Sequence, residues 1–372
     1  MSSILIISPE PWTGHFVSKH HYALELALRG HDVLFFGPPE AGNTWIESVS
    51  PDHPQNLRLL HAPRVVPGLR YLPAFIRRRL ETRWLRAVEQ LAETRFDIIW
   101  LFENSRFFDM HFAGDRLKIY HQVDLNQDFH PEIAAATSDL SIAISEPIET
   151  RIKQASKSLL RITHGCALKN FAGTEEHVSE DKANDIAKTF GRFPVNAVLT
   201  GNLTIPYLDQ DLIAELVKRH PSVGFHFVGK YATDYGLHKF LSSAGNAIFW
   251  GQQPAQDLPV YLGQANILLV AYRTQGSLDQ LANPHKIMEY LAAGTCILAT
   301  RTLEYEGRPG LVNMATDSDD FLHQFSEIIK NLQEQNSPEQ VAIRRAFAAD
   351  NSYSLQLDRI AAALGSQGWL IS

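Results

Sequence analysis

Short apolar runs alternate with segments of helical period along most of the chain, and this alternation limits the fold more than any other feature. Residues 4–7 are an apolar run, followed by a helical pattern over 16–28 that Gly30 stops. The next strand is expected at 33–36. Ile76, Leu80, Trp84, Val88 and Leu91 repeat at helical spacing within 75–93, and strands are expected at 98–101, 117–120 and 140–144. Strands buried on both faces read as unbroken apolar runs, so the pattern predicts an α/β protein with a parallel sheet covered by helices on both sides. It weakens over 163–194, where polar residues dominate. It restarts with strands at 197–200, 223–228, 247–250, 267–270 and 296–299 and helices at 209–219 and 284–293. Helices at 318–334, 338–349 and 353–364 close the chain.

The sequence has 372 residues, too many for one comfortable core, and the restart of the pattern suggests two domains. The expected division is a first domain over 1–170 and a second over 171–349, with the C-terminal helix at 350–372 packing back on the first. Ligands of open parallel sheets bind outside the carboxyl ends of the strands, so a cleft between two such domains is the expected site.

The charge balance is 34 Lys+Arg against 41 Asp+Glu, a net −7, which argues against general nucleic-acid binding. Cys166 and Cys296 are the only cysteines and form no CxxC pair, which fits a reducing compartment and disfavours a structural zinc site. The run at 4–7 is too short for a signal-peptide core and lacks a basic flank. No stretch approaches the ~20 apolar residues that span a bilayer. The expected location is the cytoplasm, with peripheral contact at the inner face of the membrane.

The first strand leads into Pro9-Glu10-Pro11-Trp12-Thr13-Gly14-His15-Phe16. A dinucleotide fold would place G-x-G-x-x-G here to bring backbone amides to a pyrophosphate, and only Gly14 is present. A nicotinamide or flavin enzyme is therefore disfavoured, and no cofactor is expected. Gly14 either lets a substrate approach the loop or simply turns the chain. His15, His20 and His21 do not make a metal set, and a plain helix face explains His20 and His21 better than a site role does.

The richest segment is Asn283-Pro284-His285-Lys286-Ile287-Met288-Glu289-Tyr290-Leu291-Ala292-Ala293-Gly294. Asn283 is a natural N-cap and Pro284 suits the first helical position. A helix N-terminus offers free amides and positive potential to an anion. A lysine in that first turn is mildly unfavourable unless it faces a phosphate. Glu289 lies at i+3 from Lys286, so cation and carboxylate share a face and could hold a diphosphate and a ribose.

This segment resembles the C-terminal domain of GT-B glycosyltransferases, above all the group-1 (family 4-like) set, whose usual wording is P-x-K-x-x-E-Y-L-A-x-G-x-P-V. The chain matches at Pro284, Lys286, Glu289, Tyr290, Leu291, Ala292 and Gly294. Supporting resemblances lie at Val198 to Leu203 with Asp209, at Phe225 to Gly229, at Phe249 to Gln252, and at Ile267 to Arg273. The resemblance implies a GT-B fold of two Rossmann-like domains facing a cleft. It also implies a nucleotide-sugar donor, UDP-linked, with donor-binding roles for Gly14, Gly201, Asn202, Gly251, Gln252, Tyr272, Arg273, His285, Lys286 and Glu289. The E-x7-E carboxylate common in family 4 is missing, since Leu281 stands eight before Glu289. The basic residues usual after the glycine turn are also absent from 204–209. The pattern is closer to bacterial exopolysaccharide glycosyltransferases such as the xanthan-type glucuronosyltransferase, and leans towards inversion.

Asp317-Ser318-Asp319 and Asp209-Gln210-Asp211 match a metal-binding Asp-x-Asp in letters only. Both precede helix-period runs, where aspartate caps amides, so metal independence is expected. Arg70, Arg77, Arg78, Arg79, Arg83 and Arg86 stand with a single acid, Glu81, among them. Such a basic amphipathic helix suits an anionic membrane or a phosphorylated acceptor, through Arg77, Arg78, Arg79 and Arg83, or is a solvated face. Asp124 follows the strand at 117–120 and is the candidate general base, with His15 or His20 as substitutes, although a loop aspartate is often only a turn. The expected activity is transfer of a sugar to a glycan or lipid-linked acceptor. A sugar-nucleotide 2-epimerase, or a non-catalytic scaffold subunit of the same fold, is the alternative.

Overall fold

The computed structural model describes residues 1–13, 16–51, 53–102, 104–125, 129–171, 178–234, 236–276 and 278–366. The chain forms two compact units, Met1–Thr163 with Tyr353–Ser372, and His164–Ser352. Among the described residues, no helix is long and apolar enough to cross a membrane.

Unit 1 comprises β1 (Ser3–Ile7), α1 (Ser18–Leu28), β2 (Asp32–Phe36), β3 (Trp45–Ser48), β4 (Leu57–His61), α2 (Ala74–Ala92), β5 (Ile98–Leu101), β6 (Leu117–Gln122), α3 (Pro131–Thr137), β7 (Leu140–Ala143), α4 (Glu146–Ile152) and β8 (Leu159–Arg161). The C-terminal helix, Tyr353–Gly365, also belongs to it and packs on α1. The sheet order is β3-β4-β2-β1-β5-β6-β7-β8. Ile4 to Ile7 are fully buried at the centre of the sheet, between β2 and β5, as an unbroken apolar run requires. Every pairing is parallel except β3 with β4, a departure from the expected all-parallel sheet. Half-exposed Trp-Ile-Glu-Ser makes β3 an edge strand with no apolar run to announce it. Arg58 interrupts the apolar reading of β4, and its guanidinium pairs with Asp32 at 3.0 Å on the neighbouring strand.

Unit 2 comprises α5 (Glu180–Phe190), β9 (Val195–Thr200), α6 (Gln210–Arg219), β10 (Val223–Val228), α7 (Gly236–Leu241), β11 (Ala247–Gly251), α8 (Leu258–Gly263), β12 (Ile267–Val270), α9 (Lys286–Ala293), β13 (Cys296–Thr300), β14 (Asn313–Ala315), α10 (Ser318–Lys330), α11 (Leu332–Gln335) and α12 (Pro338–Asp350). Its parallel sheet runs β11-β10-β9-β12-β13-β14. The polar stretch over which the pattern weakens contains α5, whose buried residues are Ile186 and Phe190. The single helix expected at 318–334 is two, broken at Asn331, whose side-chain amide turns back to donate to the Glu327 carbonyl at 3.1 Å. Asp209 and Asp317 each accept from a backbone amide in the first turn of the following helix, at 3.2 and 2.9 Å, as helix caps do.

Candidate functional site

The sheet order of unit 2 fixes where a ligand belongs. The chain leaves β9 for β10 on one side, and later leaves β12 for β13 on the other. The carboxyl ends of β9 and β12 therefore flank a topological switch point, where the two connections diverge and a crevice opens. Thr200 ends β9, and Ala271 and Tyr272 follow β12.

Helix α9 delivers its side chains to this point. The Lys286 ammonium donates to the Thr200 carbonyl at 2.5 Å and lies 5.1 Å from the centre of the Tyr272 ring. Tyr290, one turn on, binds the same strand end. Its hydroxyl accepts from the Thr200 amide at 2.9 Å, pairs with Thr200 Oγ1 at 3.1 Å and donates to the Leu269 carbonyl at 3.3 Å. One phenol thus ties β9 to β12. Tyr272 is held by its own amide donating to Thr300 Oγ1 at 3.1 Å, and by the antiparallel bridge of Leu208 with Tyr272.

The glycine turns past the strand ends stack on one another. The Gly201 amide donates to Val228, and the Gly229 amide to Gly251, at 2.9 and 2.8 Å. Gly229 has φ +153°, and a Cβ there would fall 1.8 Å from the Gly201 oxygen, so no other residue fits. Gly201, at φ +107°, leaves open the space that the Lys286 ammonium approaches.

Burial sets the charge balance. It lowers the pKa of Lys286, an effect opposed by the nearby Tyr290 and Glu289. It raises Glu289 to about 7, against the pull of Lys286. Burial also raises the Cys166 thiol, and the negative charge of Glu289 adds to that effect. An ammonium and a carboxyl i, i+3 apart, both short of solvation, favour a ligand that supplies an anion to one and hydroxyls to the other.

The helix start differs from the expected one. Lys286 is the first residue of α9 and His285 occupies the cap position, because Ile287 and Met288 bond back three residues, to Pro284 and His285. This tight first turn leaves Asn283 outside the helix, with its carbonyl accepting from His164 Nε2 at 3.1 Å. The His164 and His285 rings meet edge to face at 4.9 Å. Gly294 ends α9 at φ +83°, as expected.

The other expected donor residues are more dispersed. Asn202 Oδ1 accepts from the amide and hydroxyl of Thr204, at 2.9 and 2.7 Å, which is a local turn. Arg273 pairs with Asp211 at 2.6 Å and faces Asp209 at 3.6 Å, at the start of α6. Gly251 ends β11, and Gln252 beyond it is exposed. Gly14 and His15 lie outside the described residues.

In unit 1 the switch point lies between β1 and β5. Asp124 is exposed beyond the end of β6, and its carbonyl accepts from Gln122 Nε2 at 3.1 Å. His20 does not suit the substitute-base role. It is fully buried; Nδ1 accepts from the Val17 amide at 3.0 Å, so Nε2 carries the proton and donates to the Pro11 carbonyl at 2.8 Å. Burial also lowers its pKa. Arg77 likewise departs from the surface role expected of it. It is buried, hydrogen-bonded to Asp109, and 3.8 Å from the buried Glu81. Arg78 reaches the same Asp109 at 3.3 Å, whereas Arg79 and Arg83 are exposed.

Thr200 and Tyr290 are the members of the site that sequence reasoning left without a role. The signal was present, since Tyr290 stands at i+4 from Lys286 and shares its face.

Residues 197–331 match the family described as Glycosyl transferases group 1. A search of curated proteins finds no match. Solved structures similar in fold include sucrose-phosphate synthase from Thermosynechococcus elongatus, at 14% identity and TM-score 0.70, covering 99% of this chain and 100% of that one. HepE from Anabaena, in complex with UDP and glucose, is similar at 14% identity and TM-score 0.71, covering 98% and 100%. A glycosyltransferase from Rickettsia africae is similar at 11% identity and TM-score 0.69, covering 98% of both chains. Together they define the class: the chain has the GT-B fold, and residues 197–331 of its second unit are similar to the group 1 glycosyl transferases.

Proposed function

We propose that the protein transfers a sugar from a nucleoside diphosphate sugar, UDP-linked, to a glycan or lipid-linked acceptor. The observation that carries this reading is the delivery of Lys286 by α9 to the switch point between β9 and β12, with Glu289 close enough to act on its charge, inside the matched segment. In this reading the Lys286 ammonium, at the N-terminal end of α9, neutralises the diphosphate. Glu289 accepts from the ribose hydroxyls, and the segment around Gly251 and Gln252 faces the base. HepE from Anabaena binds UDP-glucose, which supports a UDP-sugar donor. Because a lysine at a helix N-terminus supplies the positive charge, the transfer is proposed to need no metal ion. Peripheral contact at the inner face of a membrane would bring the protein to a lipid-linked acceptor.

The chemistry proposed is inversion. A base takes the proton of the attacking hydroxyl while the diphosphate departs stabilised by the donor site. Asp124 is exposed and beyond a strand end, whereas His20 is buried. The test follows free UDP released from UDP-sugars in EDTA, with and without acceptor. Release is expected only with acceptor, and Asp124→Asn is expected to lower turnover ~10²-fold or more with donor affinity retained. A fully active Asp124→Asn variant, or a product that keeps its anomeric configuration by NMR, removes Asp124 as the base. A strict requirement for added manganese or magnesium removes the metal-free reading.

A further inference from the structure

One side of α2 carries apolar residues and arginines and no acid. Phe75, Ile76, Arg79, Arg83 and Arg86 are exposed and return to the same stripe of the helix. The two glutamates of α2 are turned away from it. Glu81 is wholly buried, and Glu89 is held by Arg116 through hydrogen bonds of 2.8 and 2.6 Å. Arg79, Arg83 and Arg86 take part in no ion pair among the described residues. In a chain of net charge −7 this basic stripe is a local departure from the average.

The stripe begins in an exposed aromatic cluster. Tyr71 is 77% exposed, Phe75 74% and Phe129 50%. The Arg70 guanidinium lies 4.9 Å from the ring centres of both Tyr71 and Phe129, which brings these two rings to one place. The Phe129 backbone is tied to the buried Asn104 side chain, which accepts from its amide at 2.9 Å and donates to its carbonyl. Large rings held in water beside unpaired arginines match the chemistry of a lipid interface. Aromatic rings settle at the headgroup level, and arginines meet lipid phosphates.

We propose that Tyr71, Phe75 and Phe129, with Arg70, Arg79, Arg83 and Arg86, form a docking face for an anionic lipid bilayer. This deepens the peripheral contact proposed above by naming the lipid chemistry and the anchoring residues, and it does not depend on which sugar is transferred. The test is sedimentation of the full chain with vesicles of phosphatidylcholine alone and of phosphatidylcholine with phosphatidylglycerol. Binding is expected only to the anionic vesicles and is expected to weaken with salt. Arg79→Glu, Arg83→Glu and Arg86→Glu together are expected to weaken it about 100-fold or more. Tyr71→Ser with Phe75→Ser is expected to weaken it about tenfold or more. A thermal shift with UDP reports separately on donor binding and checks that each variant is folded. Equal binding to both vesicle types, no binding to either, or variants that sediment like the parent would overturn the proposal. So would a dimer that the aromatic variant dissolves without changing vesicle binding, which would assign the face to a second copy of the chain.

Discussion

Replacing Lys286 by methionine separates donor binding from folding. The methionine keeps an unbranched apolar stem beside Gly201 and removes the ammonium that donates to Thr200 and lies 5.1 Å from the Tyr272 ring. Losing the charged bond to the Thr200 carbonyl costs about 1.5–3 kcal/mol of stability. Removing a cation whose pKa burial already lowers offsets much of that, so the melting temperature without ligand should barely move. A charged hydrogen bond to a diphosphate is worth about 1.5–3 kcal/mol, or roughly 10- to 150-fold in affinity. At a UDP concentration 100 times the parent Kd, the parent should gain about 2.7 kcal/mol of stability, and a variant weakened 100-fold about 0.4 kcal/mol. Lys286→Arg should not rescue, because the compact ammonium that donates to the Thr200 carbonyl would be replaced by a bulkier planar guanidinium. Calorimetric titration with UDP and thermal melts give both quantities. Equal UDP affinity in Lys286→Met and the parent would falsify the assignment of the diphosphate to this lysine.

Three other perturbations bear on the same framework. Glu289 has its folded pKa raised from 4.5 to about 7, so the native state holds an extra proton between those values and stability falls as pH rises through that window. UDP affinity should instead rise through pH ~7, as the carboxylate that accepts from ribose forms. Glu289→Gln should flatten both dependences, and a UDP affinity ratio between pH 6 and pH 8 that the variant leaves unchanged refutes the ribose role. Glu81 is buried with both oxygens lacking a hydrogen bond, and burial raises it to about 8. Its cost to stability grows from pH 4.5 and is complete above pH 8, so Glu81→Gln should gain in melting temperature over the parent at pH 9 more than at pH 6; equal differences at the two pH values contradict this. Gly229→Ala should prevent unit 2 from folding, given a Cβ 1.8 Å from the Gly201 oxygen, whereas Gly251→Ala, at φ +71° with nothing within 4 Å, should cost about 1 kcal/mol. Similar melting temperatures for the two glycine variants would show that the stacked turns can part.

The central strands were legible because their apolar runs report burial on both faces: 98–101, 223–228 and 267–270 hold to the residue. The edges were not. Trp45–Ser48 and Asn313–Ala315 are half-exposed strands, and half-exposed strands need not be apolar. Periodicity found α2 but could not tell which of its charges faced inwards. Arg77 and Glu81 lie one turn apart, a spacing that reads as a surface ion pair, yet both are buried, and the closer partner of Arg77 is Asp109, distant in sequence. The same limit applied in unit 2. The spacing of Lys286 and Glu289 showed a shared helix face but not the strand end it meets. The sheet order adds that fact, since it sets β9 beside β12 and so puts the Thr200 carbonyl under the ammonium. Helical spacing is a statement about one element, and a site is a statement about several. The residues whose role came only from the structure, Thr200 and Tyr290, are therefore those whose partners lie on other elements.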